Sequence, residues 1–415
     1  MKAMFGFSPT LVFADPKSVE FVLSSNTILK KSYDYKFFHS WLGTGLLTSL
    51  GAKWKNHRRL LTPAFHFQIL EKFIEVFNSQ SNVLIKKLED MKSKEFDIFP
   101  LLKLHTLDII CEATMNTSIN AQMNPDSNYV NSVKEICRIA TERSFSYKMW
   151  DVIYYFTDDY KQKRKRGELQ AQIASGVTTT NDLGTKKKIP FLDLLLTSTV
   201  EGKPLTNEEI RNEVDTFMFA GHDTTTSAIS FTLYALSKHQ EIQDKVFEEV
   251  IDVLGAEEPD EISYENLQKL KYLEQVVKEV LRFYSPITNI ARVLTEDVIY
   301  EGNVIPKGTI IQVAIYHLHH NPELFPKPEV FDPERFNPEN SKVYLFIPLF
   351  RLVLGLEIAL VCQKFAMLEI KATVCKILQK IKLLPAVGHE PILVVDVVTT
   401  SENGLPLRCE QRNYK

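Results

Sequence analysis

Glycine is scarce in this chain, with 15 in 415 residues, about half the usual share of ~7%. No G-x-G-x-x-G and no Walker motif occurs, so glycine-rich nucleotide folds are disfavoured. Cysteine is limited to Cys111, Cys137, Cys362, Cys375 and Cys409. Their odd number and the absence of any C-x-x-C pair argue against a disulfide framework or a structural zinc site. Basic excess is also missing: Lys+Arg 49 against Asp+Glu 52 leaves a net charge of −3, with nothing to attract nucleic acid. Long apolar runs are interrupted. Met1 to Asp15 is broken by Ser8 and Pro9, so it lacks the core of a signal peptide. Leu345 to Cys362 carries Pro348, Arg351 and Glu357, which are costly inside a bilayer. No transmembrane segment is expected. The apolar and charged shares of 44% and 24% are those of an ordinary globular protein.

Helical periodicity dominates from about Phe67 to Phe283. Asp15-Pro16 reads as an N-cap followed by proline at the first helical position, opening a helix to Leu23. Helices are expected over Trp54–Leu61, Ile69–Met91, Leu101–Met115, Asn128–Phe145 and Tyr272–Tyr284. Ser175–Lys188 reads as a loop, and Lys161, Lys163, Arg164, Lys165 and Arg166 as a solvated basic run. Thr206 with Glu209 is a capping box, opening an uninterrupted pattern of ~33 residues, roughly 50 Å of helix. Its middle is apolar, so it should cross the core. Strand signals are confined to the C-terminal part: Asp297–Tyr300, Thr309–Ile315, and Pro391–Thr399 with Leu405–Cys409 around an Asn403-Gly404 turn. Together these predict one mostly α domain over residues 1–415, with small β sheets.

Several polar groups sit in apolar surroundings. Glu279 and Arg282 are one turn apart on a helix face, and Arg335 follows in Phe331-Asp332-Pro333-Glu334-Arg335-Phe336. Within the long helix, Ala220-Gly221-His222-Asp223-Thr224-Thr225 interrupts an apolar stretch. Burying Asp223 and Thr224 unpaired would cost a few kcal/mol each. Either they form a solvated stripe, or the helix opens locally at Gly221 beside a ligand. His317, His319 and His320 invite a metal reading, but their setting before Asn321-Pro322 favours surface or loop histidines.

These motifs, in this order, resemble the cytochrome P450 haem-thiolate monooxygenases over essentially the whole chain. Trp54-Lys55-Asn56-His57-Arg58-Arg59 followed by Leu61-Thr62-Pro63-Ala64-Phe65-His66-Phe67 is similar to the family's haem-facing early helix. Trp41-Leu42-Gly43-Thr44-Gly45-Leu46-Leu47 and Phe217-Met218-Phe219 resemble the animal fatty-acid ω-hydroxylase branch, family 4. The resemblance implies a cytochrome P450 fold enclosing haem (heme, iron protoporphyrin). It implies oxygen insertion into a C–H bond of a long apolar substrate such as a fatty acid. Electrons would come from NADPH through cytochrome P450 reductase, with cytochrome b5 as a second donor. It assigns haem propionates to Trp54, Arg58 and Arg292, and space for dioxygen to Gly221. Proton relay falls to Asp223 and Thr224, and a buried ion network to Glu279, Arg282 and Arg335. The family location is the cytoplasmic face of the endoplasmic reticulum membrane; a chain starting beyond the family's anchor could equally be cytosolic.

Three departures from the family pattern stand out. The chain begins beyond the membrane anchor and proline-rich hinge. Ala220 occupies the place of a glutamate that can be esterified to haem. Most consequential is the haem loop, where the family carries its cysteine ligand shortly before a helix beginning Gln363-Lys364-Phe365-Ala366. Counting back, the ligand slot holds Leu360, the propionate arginine slot Ile358, and a glycine slot Cys362. Codon degeneracy permits Leu356–Val361 to read Arg-Asn-Cys-Ile-Gly one base out of frame, so a local frameshift is one account of the altered loop. Cys362 is the candidate iron ligand; its plainer reading is a core thiol at a helix start, where the dipole lowers a thiol pKa. The alternative to an enzyme is a family-derived product unable to hold haem as a thiolate complex.

Overall fold

The computed structural model describes residues 2–5, 8–65, 67–91, 94–126, 190–255, 261–340, 359–395 and 397–412, with isolated positions 131, 135 and 139. Apart from those three positions, which are helical, the expected Asn128–Phe145 helix lies outside the described residues, as do the basic run at Lys161–Arg166, the Ser175–Lys188 loop and the segment from Pro348 to Ile358. So does Cys137.

Nine helices of eight or more residues stand among the described residues: α1 (Pro16–Ser24), α2 (Gly51–Leu61), α3 (Phe67–Asp90), α4 (Phe99–Met115), α5 (Pro190–Thr197), α6 (Asn207–Lys238), α7 (Gln240–Leu254), α8 (Lys271–Tyr284) and α9 (Ala359–Lys380). Their starts follow local chemistry. Asp15 accepts the Ser18 N–H at 3.0 Å before Pro16. At α6, Thr206 Oγ1 accepts from Glu209 N at 3.2 Å, and Glu209 Oε2 accepts from Thr206 N at 3.0 Å, the expected capping box.

Besides a short antiparallel pair, Thr199–Val200 with Lys203–Pro204, the strands are β1 (Lys2–Phe5), β2 (Ser8–Phe13), β3 (Phe96–Asp97), β4 (Asn289–Val293), β5 (Val298–Tyr300), β6 (Asn303–Ile305), β7 (Ile310–Ala314), β8 (Ile381–Pro385), β9 (Leu393–Val395), β10 (Thr399–Ser401) and β11 (Pro406–Gln411). Two strand expectations need correction. Strands are not confined to the C-terminal part: β1 and β2 join β7 and β4 in one sheet ordered β1-β2-β7-β4. Thr10–Phe13 pair in parallel with Ile310–Val313, starting just after Pro9, so the proline removes no bond from that ladder. The pairing partner lies 300 residues away, beyond the reach of local pattern. Nor does Asn403-Gly404 join two strands of one hairpin. It closes β10, which pairs with β9, while β11 pairs with β8 and β3. Asn403 instead accepts from Ile392 N at 2.8 Å and donates to Glu390 O at 2.9 Å.

The main core joins α3, α4, α6, α7, α8 and α9 around residues such as Phe77, Phe217, Phe231 and Phe365. A second apolar nucleus lies under the four-stranded sheet, and a small third one joins Trp41, Leu42 and Phe219. α6 runs through the middle and is buried along nearly its whole length. Among the described residues, no helix is long and apolar enough to cross a membrane.

Candidate active site

Between Asn212 and Ser237 every residue of α6 is buried except Ala220, Gly221 and Thr224. Their spacing of i, i+1 and i+4 places them on one helix face. They form a partly exposed stripe in the middle of an otherwise buried helix. The helix remains continuous through Gly221, so the expected local unwinding does not occur. Three successive threonines turn their hydroxyls back onto the turn before them. Thr224 donates to Ala220 O at 2.6 Å, Thr225 to Gly221 O at 2.6 Å and Thr226 to His222 O at 2.8 Å. Such back-bonding satisfies the hydroxyls within the helix. Gly221 lets α4 pack closely: a Cβ there would come 2.8 Å from Ile110 Cδ1.

Asp223 does not stand unpaired. Lys103 Nζ from α4 lies 3.1 Å from Asp223 Oδ1, and His222 Nδ1 lies 3.3 Å from the same oxygen. Lys103 keeps partial exposure, so the ion pair joins the buried acid to the surface. Thr225 Oγ1 also lies 3.2 Å from Glu369 Oε1 of α9, a second acceptor for the same hydroxyl proton. Burial lifts the Glu369 carboxyl well above its usual range, the single threonine bond pulling only weakly the other way. Neither Lys103 nor Glu369 carries a signal in the sequence, because both partners come from distant helices.

The stripe adjoins the third apolar nucleus. Trp41 meets Phe219 edge-on at 4.9 Å between ring centroids, and Phe38 lies 5.8 Å from Phe219. Leu42, Leu47 and Val397 complete this wall, which contains no charged side chain. Phe217 and Met218 belong elsewhere: Phe217 stacks on Phe65 at 5.4 Å, and both lie in the main core.

On α2, the guanidinium of Arg58 lies 5.0 Å from the Trp54 ring centroid, as their i, i+4 spacing allows. Trp54 Nε1 is buried without a hydrogen-bond partner. Arg58 makes no hydrogen bond or ion pair through its side chain among the described residues. A buried indole N–H without an acceptor is unusual, whereas Arg58 is partly exposed. Arg292 is buried on β4, with Nη1 donating to Ala291 O at 3.0 Å.

The Glu279–Arg282–Arg335 network is assembled. Arg282 grips Glu279 in two places, Nε to Oε2 and Nη2 to Oε1, each at 2.8 Å. Its Nη1 donates to His319 O at 3.0 Å. Arg335 Nε approaches Glu279 Oε1 at 3.5 Å, and the Asp332 N–H donates to that oxygen at 2.9 Å. Burial raises the Glu279 carboxyl even so, with Arg282 opposing it. His319 corrects the surface reading of the histidine run. It is buried in the helical turn Ile315–His319, bonded through Nδ1 to Ser285 Oγ at 2.7 Å. Burial, helped by Arg282 and His320, drives it down to about 3. The segment winds into a helical turn where a surface or loop position was expected, and His319 is buried there. No metal-binding cluster occurs among the described residues.

Cys111, Cys375 and Cys409 are buried thiols. Burial pushes all three up, Cys409 to about 12, leaving no thiolate among them. The loop expected before Gln363 is also corrected at its end: α9 begins at Ala359, so the backbones of Leu360 and Cys362 already lie within the helix. The run Glu357-Ile358-Ala359-Leu360-Val361 has neither glycine nor proline, and nothing in it stops a helix. The side chain of Cys362 lies outside the described residues.

The structure is thus a mostly helical body with a long central helix, a buried indole N–H beside an arginine, and a buried Glu–Arg–Arg network. The Cytochrome P450 family profile matches residues 1–350. Cytochrome P450 4d2 of Drosophila melanogaster is 40% identical over 426 residues, covering 96% of this chain and 83% of that protein. Cytochrome P450 4c3 of the same species is 38% identical over 442 residues, covering 98% and 81%. The retinoic acid-bound cyanobacterial CYP120A1 superimposes with a TM-score of 0.86, covering 99% of this chain and 91% of that one at 23% identity. The cytochrome P450DA heme domain gives the same TM-score at 21% identity, covering 99% and 90%. The chain belongs to the cytochrome P450 family, whose members are P450-type monooxygenases using haem iron and electrons from NADPH through a reductase.

The residues fit haem unevenly. Trp54 Nε1, without an acceptor among the described residues, and the adjacent Arg58 guanidinium suit a carboxylate such as a propionate. On the iron side none of the three described cysteines qualifies.

Proposed function

We propose that this protein is a haem-thiolate monooxygenase that hydroxylates a long apolar substrate such as a fatty acid. The half-open stripe of Ala220, Gly221 and Thr224 in an otherwise buried helix carries this reading. Bound haem supplies activation of dioxygen at its iron. Trp54, Arg58 and Arg292 hold the propionates, and Arg58 suits the task because its fork stays charged and binds carboxylate in two places. Cys362, in the first turns of α9, is the proposed ligand to iron. A small ligand beside Gly221 would take the place that Ile110 of α4 now fills, so Ile110 would have to give way. Asp223, held by Lys103, brings protons from the surface; Thr224 passes them on by turning its hydroxyl away from Ala220 O.

The wall of Phe38, Trp41, Leu42, Leu47, Phe219 and Val397 supports an alkyl chain as occupant, since nothing in it would pair with charge. Ala220 offers no carboxylate for an ester link to haem. NADPH–cytochrome P450 reductase is the proposed electron donor, with cytochrome b5 as a second one, at the cytoplasmic face of the endoplasmic reticulum membrane. The test is the carbon monoxide spectrum of the reduced, haem-loaded protein. A thiolate-type Soret band that disappears in Cys362→Ala identifies the ligand. A folded protein without that band overturns the proposal and leaves the non-catalytic reading.

A further inference from the structure

The segment Gly43–Ser49 lies directly against α6. Gly43 has φ +53°, and a Cβ at Gly45 would fall 2.4 Å from the Asn212 backbone oxygen and 2.2 Å from Thr216 Oγ1. No side chain fits between loop and helix at Gly45. The peptide groups of Leu46 are then gripped from both sides by buried charges. Its N–H donates to Glu213 Oε2 at 3.0 Å, and its carbonyl accepts from Lys31 Nζ at 3.1 Å. The same ammonium donates to Leu47 O and, at 3.0 Å, to Ser49 O. The other Glu213 oxygen lies 2.7 Å from His57 Nδ1. Lys31, Glu213 and His57 are each at most 4% exposed.

Each member is anchored to an element that carries a proposed haem contact. His57 stands between Trp54 and Arg58 on α2. Lys31 forms a β-bridge with Arg292, and Val293 N donates to Lys30 O at 2.8 Å. Glu213 lies on α6, two turns before Gly221. The loop ends, Leu42 and Leu47, belong to the apolar wall around Phe219.

We propose that Lys31, Glu213 and His57 act as one positioning unit, setting together the Trp54–Arg58 donor pair, Arg292 and the apolar wall. What is positioned rests on the haem-enzyme reading above; the clamp itself is a property of the protein alone. Glu213 and Lys31 hold Leu46 from its N–H and its carbonyl side, so removing either frees the same short segment. Their effects on that segment are therefore coupled, not additive.

Hydrogen exchange of the peptide spanning residues 43–49, measured on the full chain with and without haem, tests this. Glu213→Leu and Lys31→Met should each speed exchange there by ~10-fold or more, with α8 and α9 unchanged. Glu213→Gln keeps an acceptor for Leu46 and a partner for His57, and should stay within about threefold of wild type. The double variant should exceed neither single by more than about twofold. In haem-loaded protein, haem loss should accelerate and lauric acid should bind more weakly in the two apolar variants, with rescue in Glu213→Gln. Wild-type exchange in both single variants, or additive effects in the double, overturns the clamp. Faster exchange with unchanged haem loss and lauric acid affinity overturns the positioning role. A wild-type chain that takes up no haem overturns the preceding functional reading instead, and the exchange measurement without haem separates the two failures.

Discussion

Replacing Arg282 by methionine isolates what the Glu279–Arg282–Arg335 network contributes. The substitution removes both 2.8 Å bonds to Glu279 and the donor to His319 O. Glu279, with 0% side-chain exposure, keeps only the Asp332 N–H and the longer approach of Arg335. Breaking a buried pair from one side costs ~3–5 kcal/mol, and the orphaned His319 carbonyl adds ~1 kcal/mol. Against a total stability of ~5–15 kcal/mol this is a large fraction. An unfolding entropy of ~2.1 cal/mol/K per residue, scaled to this chain, converts ~4–6 kcal/mol into a Tm lower by roughly 5–7 °C. Haem incorporation should fall with it. Thermal and urea unfolding of the haem-free chain reads the stability term without relying on haem. Losing Arg282 also raises the Glu279 pKa further, so the deficit should shrink as pH falls toward 5 and the carboxyl protonates. Glu279→Leu with Arg282→Leu removes both charges and should recover at least half of the loss. A deficit below ~1 kcal/mol in Arg282→Met, or a double variant less stable than the single, would refute the argument.

Two further outcomes follow from the buried titratable groups. His105 and His319 are both driven down to about 3 by burial, below their unfolded value near 6.5. The unfolded chain therefore binds more protons in that interval, and stability should be full above pH 6.5 and decline toward pH 3. Each histidine contributes up to ~1.4 kcal/mol per pH unit. Replacing both by glutamine should flatten urea-derived stability between pH 6.5 and 5; an unchanged slope refutes the assignment. Glu369 has the opposite sign. Its folded pKa is raised, so its contribution is full below the unfolded carboxyl value and is lost as pH rises. Glu369→Gln should equal wild type near pH 5 and be more stable at pH 8 in thermal melts, whereas a variant less stable at pH 8 would show that the ionised form is the one held.

The helices were legible because their signals are local. Asp15-Pro16, Thr206 with Glu209 and the apolar periodicity of α3, α4, α6 and α8 each lie within a turn or two of the structure they specify. The strand at Ser8–Phe13 was missed because its partner is Ile310–Ala314. The Asn403-Gly404 turn was recognised but given the wrong strands, because β11 takes its partners from β8 and β3. Asp223 and Thr224 were found through polarity in an apolar helix, and Glu279 with Arg282 through one-turn spacing. Their partners were not: Lys103 and Glu369 belong to helices far away in sequence.

By itself the sequence determined the kind of protein this is. It set the long capped helix, the Gly221–Thr224 motif, the Glu–Arg pair and the order of motifs that marks a cytochrome P450. It also placed the departure in the haem loop, where Leu360 stands in the ligand slot and Cys362 two positions on. Tertiary structure decided which polar groups are paired and which face open space. Only packing brings Lys31, Glu213 and His57 around Leu46, leaves Trp54 Nε1 without an acceptor and half-exposes Gly221 inside the core. The physical reason is range: caps and periodicity act through neighbouring residues, whereas burial and charge pairing depend on groups that only the folded chain brings within a few ångströms.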